Sequence, residues 1–479
     1  MNKLSNFLEK FLMPVAAFIG GQKHLGAMRD GFIATLVINM TGAMAVLFNN
    51  LIFTNTSLIG RELNKNAGYA ESVQPVLNEY FVPVMGRIWW ATLAIISILL
   101  VITISYSLAK SYEVDGISAA LVATSSYFAL LPEGMDVTGG ASGILFKAAK
   151  GKEAIAATLV DSTNAAIQAA ASNPDLVAEA TIGNAWGQIT VGSFGSNAMF
   201  SAIIVGLIAA QLFVIITKAG WTFKMPEQVP PAVSKAFSAI IPGFITIALF
   251  STVGFIFTNI VKTPFNDVIF EFIQKPLVAF GQSPISYMVL VMIAQLLWFF
   301  GLHGSNIIDP VMNTMYKPPL LENIEVYAAG GDPVHTLTRN FLDVYAMHGG
   351  SGATLALLIA IFFFSKKQEE RELFKIAIAP GLFQINEPVI FGLPMVLNAK
   401  MFLPFVFLPP VCIGIAYFFT EIGFAAKIAV ETPWVTPPIL GAFMATGFDW
   451  KAAVVAAGTF ALSIAVYIPF IIAGNKDEA

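Results

Sequence analysis

The chain has 479 residues, 56% hydrophobic and only 12% charged, about half the charged fraction of an ordinary water-soluble domain, and this excludes a soluble globular protein. A net charge of −4, from 26 basic and 30 acidic residues, leaves no basic surface to track a nucleic-acid backbone. The single cysteine, Cys412, can close no intramolecular disulfide and supply no paired-thiol site.

In chain order, Met1 to Asp30 scatters Lys3, Glu9, Lys10, Lys23, Arg29 and Asp30 and offers no small-residue cleavage site. It reads as an N-terminal amphipathic surface helix, not a signal peptide, with Arg29 as an anchor at the membrane surface. Charge-free runs follow at 31–60, ending at Arg61, and at 116–132, 197–217, 236–261, 276–302, 401–420, 432–448 and 452–475, with a shorter one at 352–365. Ile88 to Ala109 is a further run of 22 residues, about 33 Å as a helix and long enough to cross roughly 30 Å of hydrocarbon. The expectation is an all-α polytopic membrane protein with about ten transmembrane helices. Awkward parity between 276 and 375 calls for re-entrant segments there.

Lys3, Lys10, Lys23 and Arg29 place the N-terminus in the cytoplasm, and Lys218, Lys224 and Lys235 agree if four spans intervene. Two long connections stand out, 54–87 and 133–196. The second holds an alanine-rich helical pattern from Ile144 to Ala180 and is expected to form an extracytoplasmic cap. The division expected is 1–30 for the amphipathic segment, 31–262 for a scaffold and dimerisation half, and 263–479 for a transport half. That last half carries His303, His335 and His348 and most of the Gly- or Pro-interrupted runs, and broken helices at membrane depth are where transporters build binding sites.

Within it, the 24 residues between Lys375 and Lys400 contain one formal charge, Glu387, in Gln384-Ile385-Asn386-Glu387-Pro388. A carboxylate at membrane depth costs about 2.5–3.5 kcal/mol unless protein or water surrounds it. Pro388 removes a donor and biases Glu387 away from helical dihedrals, so a hairpin with Glu387 at its tip is expected. The bland alternative is a surface glutamate on a cytoplasmic loop, against which stand the apolar flanks.

A second constellation is Trp298-Phe299-Phe300-Gly301-Leu302-His303-Gly304-Ser305-Asn306, an apolar helix that ends in glycines around a histidine and continues into polar side chains. Aromatic faces beside hydrogen-bonding groups suit a sugar, although a lone histidine is more often a satisfied core residue. Tyr345 to Gly352 reads as a plain turn before the 352–365 run, with a hinge or an anion nest as the alternatives. No nucleotide-binding P-loop is present, since Gly151-Lys152 is followed by Glu153.

With these residues the chain resembles the membrane subunit, enzyme IIC, of the lactose/cellobiose/diacetylchitobiose family of the bacterial phosphoenolpyruvate-dependent sugar phosphotransferase system. The resemblance covers nearly the whole chain. It runs through His24 to Phe32, Ser107 to Tyr112 and Lys224 to Val233, and is most specific in Trp298 to Asn306 and Asn386-Glu387-Pro388. It implies ten transmembrane helices, two re-entrant hairpins, a homodimer packed through the N-terminal half, and elevator-like movement of the C-terminal half in a bacterial cell membrane with both termini cytoplasmic.

The same resemblance implies a disaccharide substrate, no cofactor or metal, and a soluble IIB partner whose phosphocysteine donates the phosphoryl group. Cys412, in an apolar run, is no candidate for that thiol. Glu387 and His303 become the catalytic pair at the sugar hydroxyl, and Trp298, Asn386 and Asn306 sugar contacts; Trp434 and Asn197 are looser matches. The long 133–196 connection departs from the family pattern. The residues by themselves also suit a proton-coupled sugar symporter, in which Glu387 carries the proton, while a passive sugar channel needs no buried carboxylate.

Overall fold

The computed structural model describes residues 21–132, 191–226, 228–393, 395–398 and 400–475, with the short segments 134–137, 145–148, 176–179 and 183–186. The expected amphipathic segment lies outside these up to residue 20. Its continuation is α1 (Lys23–Ala34), which starts where the Gln22 side chain accepts the His24 and Leu25 amides. One face of α1 packs inward, Met28 and Phe32 being buried against α3 (Ile96–Ser111), while Lys23, Asp30 and Ile33 stay exposed.

The first half is a bundle of apolar helices. α2 (Leu36–Phe48) follows α1 after Thr35, and α3 packs with α4 (Gly116–Phe128) and α5 (Met199–Lys218). Leu100, Val101 and Ile104 of α3 have no exposed surface. Asp115 caps α4 by accepting the Ser118 amide at 2.8 Å, filling one of the donors every helix start leaves open. α6 (Ile240–Phe255) leans on this bundle and leaves Phe244 and Phe255 exposed, the expected state of side chains that meet lipid or a second chain.

In the 133–196 connection the two described ends of the helical pattern expected from Ile144 to Ala180 are strands instead. β1 (Gly134–Val137) pairs antiparallel with β4 (Gly183–Trp186), and β2 (Leu145–Ala148) with β3 (Leu176–Glu179), while Val191–Ser193 is a short helical turn. Backbone pairing between segments far apart in sequence overrides alanine's local helix preference. The rest of the stretch lies outside the described residues. The 54–87 connection is largely helical, with Ala67 to Ser111 forming one long apolar helical stretch.

The second half is built from broken helices. α7 (Pro284–Phe299) turns directly into α8 (Gly304–Ala328), which holds Pro310, Pro318 and Pro319. A Cβ at Gly304 would stand 1.9 Å from the Ala294 carbonyl oxygen, so this turn closes only around glycine. α9 (Thr354–Phe364), α10 (Gln368–Leu382), α11 (Glu387–Gly392), α12 (Phe402–Glu421) and α13 (Trp450–Gly474) complete it, α12 packing on α7 and α13, and α9 on α10 and α13.

Among the described residues six helices have the length and hydropathy for a crossing, and a seventh arises if Phe265–Gly281 and Pro284–Phe299, bent by 78°, form one broken span. Gly116–Phe128 and Ser351–Phe364 are shorter apolar helices. The 432–448 run is not a span: it is irregular except for Leu440–Ala445, because Pro433, Pro437 and Pro438 withhold the donors a helix needs.

Candidate functional site

Three irregular turns of the second half meet in the wall of a cavity of about 500 Å³. The first is the α7–α8 turn. His303 is the N-cap of α8, its Nδ1 accepting the Asn306 amide at 3.2 Å. A neutral imidazole that accepts at Nδ1 carries its proton on Nε2, and this Nε2 faces Glu387 Oε1 at 3.8 Å. The Trp298 ring lies 4.2 Å from the His303 ring between centroids, and its Nε1 donates to Ser305 Oγ at 3.2 Å.

The second turn separates α10 from α11. Gln384 takes a left-handed backbone (φ 63°) and its amide donates to the carbonyls of Asp343 and Thr436 at 3.1 and 3.0 Å. Asn386 is the N-cap, Glu387 the first helical residue, and Pro388 follows where a missing N–H is harmless. The expected helix–turn–helix is present, but its turn is 383–386 and Glu387 is helical, because Pro388 sits in the first turn, where no donor is needed; Glu387 is half exposed to the cavity, 46% of its side chain being accessible.

The third turn is the glycine-rich segment before α9, which the sequence suggested was a plain turn. It lines the cavity through Met347, Gly350 and Ser351. Ser351 ties the three turns together, its Oγ 3.0 Å from Ser305 Oγ and its carbonyl accepting from Asn386 Nδ2 at 3.2 Å. Gly350 has φ 97°, and a Cβ there would meet Asn386 Cβ at 2.8 Å, so glycine lets the two turns touch. His348 is buried away from the cavity wall, with Nε2 3.0 Å from Thr459 Oγ1.

Of the residues expected at a site, Glu387, His303, Trp298, Asn386, Asn306 and Trp434 line this one cavity. Asn197 does not: it is exposed on the short turn Ser196–Ala198, whose Ser196 donates through N and Oγ to Glu325 of α8. Phe32, Ile33 and Leu36 of the first half supply an apolar wall.

The cavity also holds charges that the sequence did not single out. Arg339 Nη2 is 2.9 Å from Asp309 and Nη1 3.1 Å from Asp343, while Lys317 pairs with Glu431 at 2.5 Å. All five residues line the cavity. Ions taken out of water persist only when paired and hydrogen-bonded, and here three carboxylates face two cations. The signal lay in Asn306, Asp309, Asn313 and Lys317, spaced three or four apart and so on one face of α8. A search for charge-free runs discards such a stripe.

Residues 29–409 match the family described as Phosphotransferase system, EIIC. The chain belongs to this family. Among its relatives, the PTS system cellobiose-specific EIIC component of Lactococcus lactis subsp. lactis (strain IL1403) is 35% identical over 512 residues, covering 100% of this chain and 99% of that one. The Lichenan permease IIC component of Bacillus subtilis (strain 168) is 31% identical, covering 100% and 95%. The crystal structure of the transporter ChbC, the IIC component from the N,N'-diacetylchitobiose-specific phosphotransferase system, superposes with a TM-score of 0.82 at 28% identity, over 98% of each chain. This EIIC chain is thus a multi-pass membrane permease component of a sugar phosphotransferase system, as its motifs implied.

Proposed function

We propose that this EIIC chain carries a disaccharide of the cellobiose, diacetylchitobiose and lactose class inward, coupled to phosphorylation of one sugar hydroxyl by a phospho-IIB protein on the cytoplasmic face. The observation that carries the chemistry is the facing of His303 Nε2 and Glu387 Oε1 at 3.8 Å, from two separate turns of one cavity. That gap is too long for a direct hydrogen bond, and a hydroxyl oxygen seated to one side of the pair, about 2.8 Å from each atom, meets both groups. Such a hydroxyl accepts from His303 Nε2–H and donates to the Glu387 carboxylate.

Both contacts prepare the same atom. His303 orients it, and Glu387 takes its proton as the oxygen–phosphorus bond forms and the sulfur–phosphorus bond of the donor phosphocysteine breaks, releasing a thiolate. The work of the chain is positioning and proton acceptance, not covalent chemistry. The pyranose face stacks on Trp298 or Trp434, and Asn306 and Asn386 complete the hydroxyl contacts.

The same reading assigns 31–262 to a scaffold that packs as a homodimer and 263–479 to the half that moves, with lipid around both and both termini cytoplasmic. It is supported by helices that pack chiefly within their own half, by exposed aromatics on α6 and by the lysines before the first span. Glu387→Gln tests the assignment, because it keeps size and one acceptor but loses basicity. Phosphorylation is expected to fall by about 10²- to 10⁴-fold, the span of a general base, with sugar affinity changed far less. Full phosphorylation by the variant rejects the general-base role.

A further inference from the structure

A phosphoryl group carries roughly two negative charges near pH 7, and to reach the hydroxyl between Glu387 and His303 it must approach a carboxylate. A cation close by offsets that repulsion, and the cavity's own cations are committed: Arg339 is held by Asp309 and Asp343, and Lys317 by Glu431. Arg29 is placed otherwise. On α1 it precedes Phe32, Ile33 and Leu36 by three, four and seven residues, the spacing of one helix face, and those three residues form the apolar wall of the cavity. α1 packs on α8 as well as on α3, and the Arg29 charge acts on the His303 ring. An anchor at the membrane surface, the role its sequence position suggested, would stand at the end of the helix. That end belongs to Lys23, whose Nζ donates to the Ser111 carbonyl and, with that of Lys218, stands over the Tyr112 ring. Arg29 is six residues further in, about 9 Å along the helix, between this basic end and the cavity. Its guanidinium is only partly spent. Nε and Nη2 donate to one oxygen of the neighbouring Asp30 at 2.9 and 2.7 Å, and Nη1 has no hydrogen-bond partner among the described residues. The side chain is 36% accessible, enough to meet an arriving group.

We infer that Arg29 is a further catalytic residue, which binds the phosphoryl oxygens as the group passes from the phosphocysteine of IIB to the sugar hydroxyl held by Glu387 and His303. The inference deepens the phosphotransfer reading above and rests on it. Asp30 holds the guanidinium by its Nε and Nη2 edge, which leaves Nη1–H and the second Nη2–H as a fork for two non-bridging phosphoryl oxygens. The sugar oxygen–phosphorus bond forms, the sulfur–phosphorus bond breaks to leave a thiolate, and the hydroxyl proton goes to Glu387; Arg29 neither takes nor gives a proton. α1 packs chiefly on α3 of the first half, whereas Glu387 and His303 stand on the second. The reaction centre is therefore complete only when the two halves stand as they do here, and a sugar held in another position of the moving half stays unphosphorylated.

The test uses the purified full chain, phospho-IIB made with phosphoenolpyruvate and the soluble phosphocarriers, and cellobiose, lactose or diacetylchitobiose, whichever wild type phosphorylates. Arg29→Gln is expected to lower kcat about 10²- to 10³-fold, the effect of removing one donor to developing charge, with the affinity for unmodified sugar and the KM for phospho-IIB unchanged. Arg29→Lys keeps a point charge without the fork and should lose about tenfold; it carries the test where Arg29→Gln folds poorly, sugar affinity reporting the folded site. Guanidinium ions should restore part of the activity of Arg29→Ala where sodium chloride of the same ionic strength does not, a response that a packing role for the side chain would not give. A wild-type kcat in Arg29→Gln or Arg29→Lys overturns the assignment. So does a loss confined to the KM for phospho-IIB, which makes Arg29 a docking contact, or a loss matched by an equal fall in sugar affinity. A wild-type chain that phosphorylates none of the three sugars overturns the phosphotransfer reading itself, a separate and recognisable result.

Discussion

The two halves of the chain meet the membrane in opposite ways. The first half fills its interior with long apolar helices and side chains such as Leu100, Val101 and Ile104, all fully buried, and most of its backbone groups pair within those helices. The second half breaks its helices at 300–303, 349–353 and 383–386, with Lys317 and Glu431 buried and Arg339 and Asp343 partly buried around the same cavity. Irregular backbone and charge survive at such depth only where other protein groups or a polar cavity meet them. The contrast teaches that the regular half supplies stability, and that the irregular half gives up some of it to hold a polar ligand.

The sharpest way to break this contrast is Lys317→Met, which leaves Glu431 buried without its cation. Stability is expected to fall by about 3–5 kcal/mol, seen as a lower midpoint in thermal unfolding in detergent. The double variant Lys317→Met/Glu431→Leu should regain most of that loss while transport stays impaired, because an apolar pair can replace an ion pair in packing but not in a polar cavity. Recovery of transport together with stability would make the pair purely structural.

Leu100→Ala tests the other side. It should cost about 2–5 kcal/mol of stability through the cavity it leaves, with sugar affinity in the folded fraction unchanged. A shift in affinity would mean that the first half shapes the site beyond the wall formed by Phe32, Ile33 and Leu36. Trp298→Ala is a smaller effect, about 1 kcal/mol of sugar affinity for one lost aromatic contact, read by titration calorimetry. Unchanged binding would leave Trp298 as a support for His303 alone. Smallest is Cys412→Ser: Cys412 is buried beside Ser463 Oγ and the Thr459 carbonyl, both able to meet a hydroxyl, so phosphorylation-coupled uptake should remain near wild type.

How much of this was legible in the sequence follows from what each signal measures. Glu387 announced itself because it is a lone charge in an apolar stretch followed by proline, and the structure places it at the first position of a helix beside a turn. Trp298 to Asn306 was legible because glycines bracket the histidine, and Gly304 proves to be where no side chain fits. Arg339, Asp343, Lys317 and Glu431 were not, since charges that neutralise one another across 114 residues, as Lys317 and Glu431 do, look individually like loop residues. The strands at 145–148 and 176–179 were hidden for the same reason: their pairing is non-local and their composition favours helix. The 432–448 run failed differently, because hydropathy counts apolar side chains and ignores the donors that three prolines remove.

The central claim is that sugar entry and phosphorylation are one process at Glu387 and His303. The most direct measurement is uptake of labelled disaccharide into vesicles holding this chain, with and without phosphoenolpyruvate and the soluble phosphocarriers inside. The account predicts accumulation only when both are present, with the internal label recovered as sugar phosphate. Accumulation of unmodified sugar that follows a proton gradient and ignores phosphoenolpyruvate would contradict it.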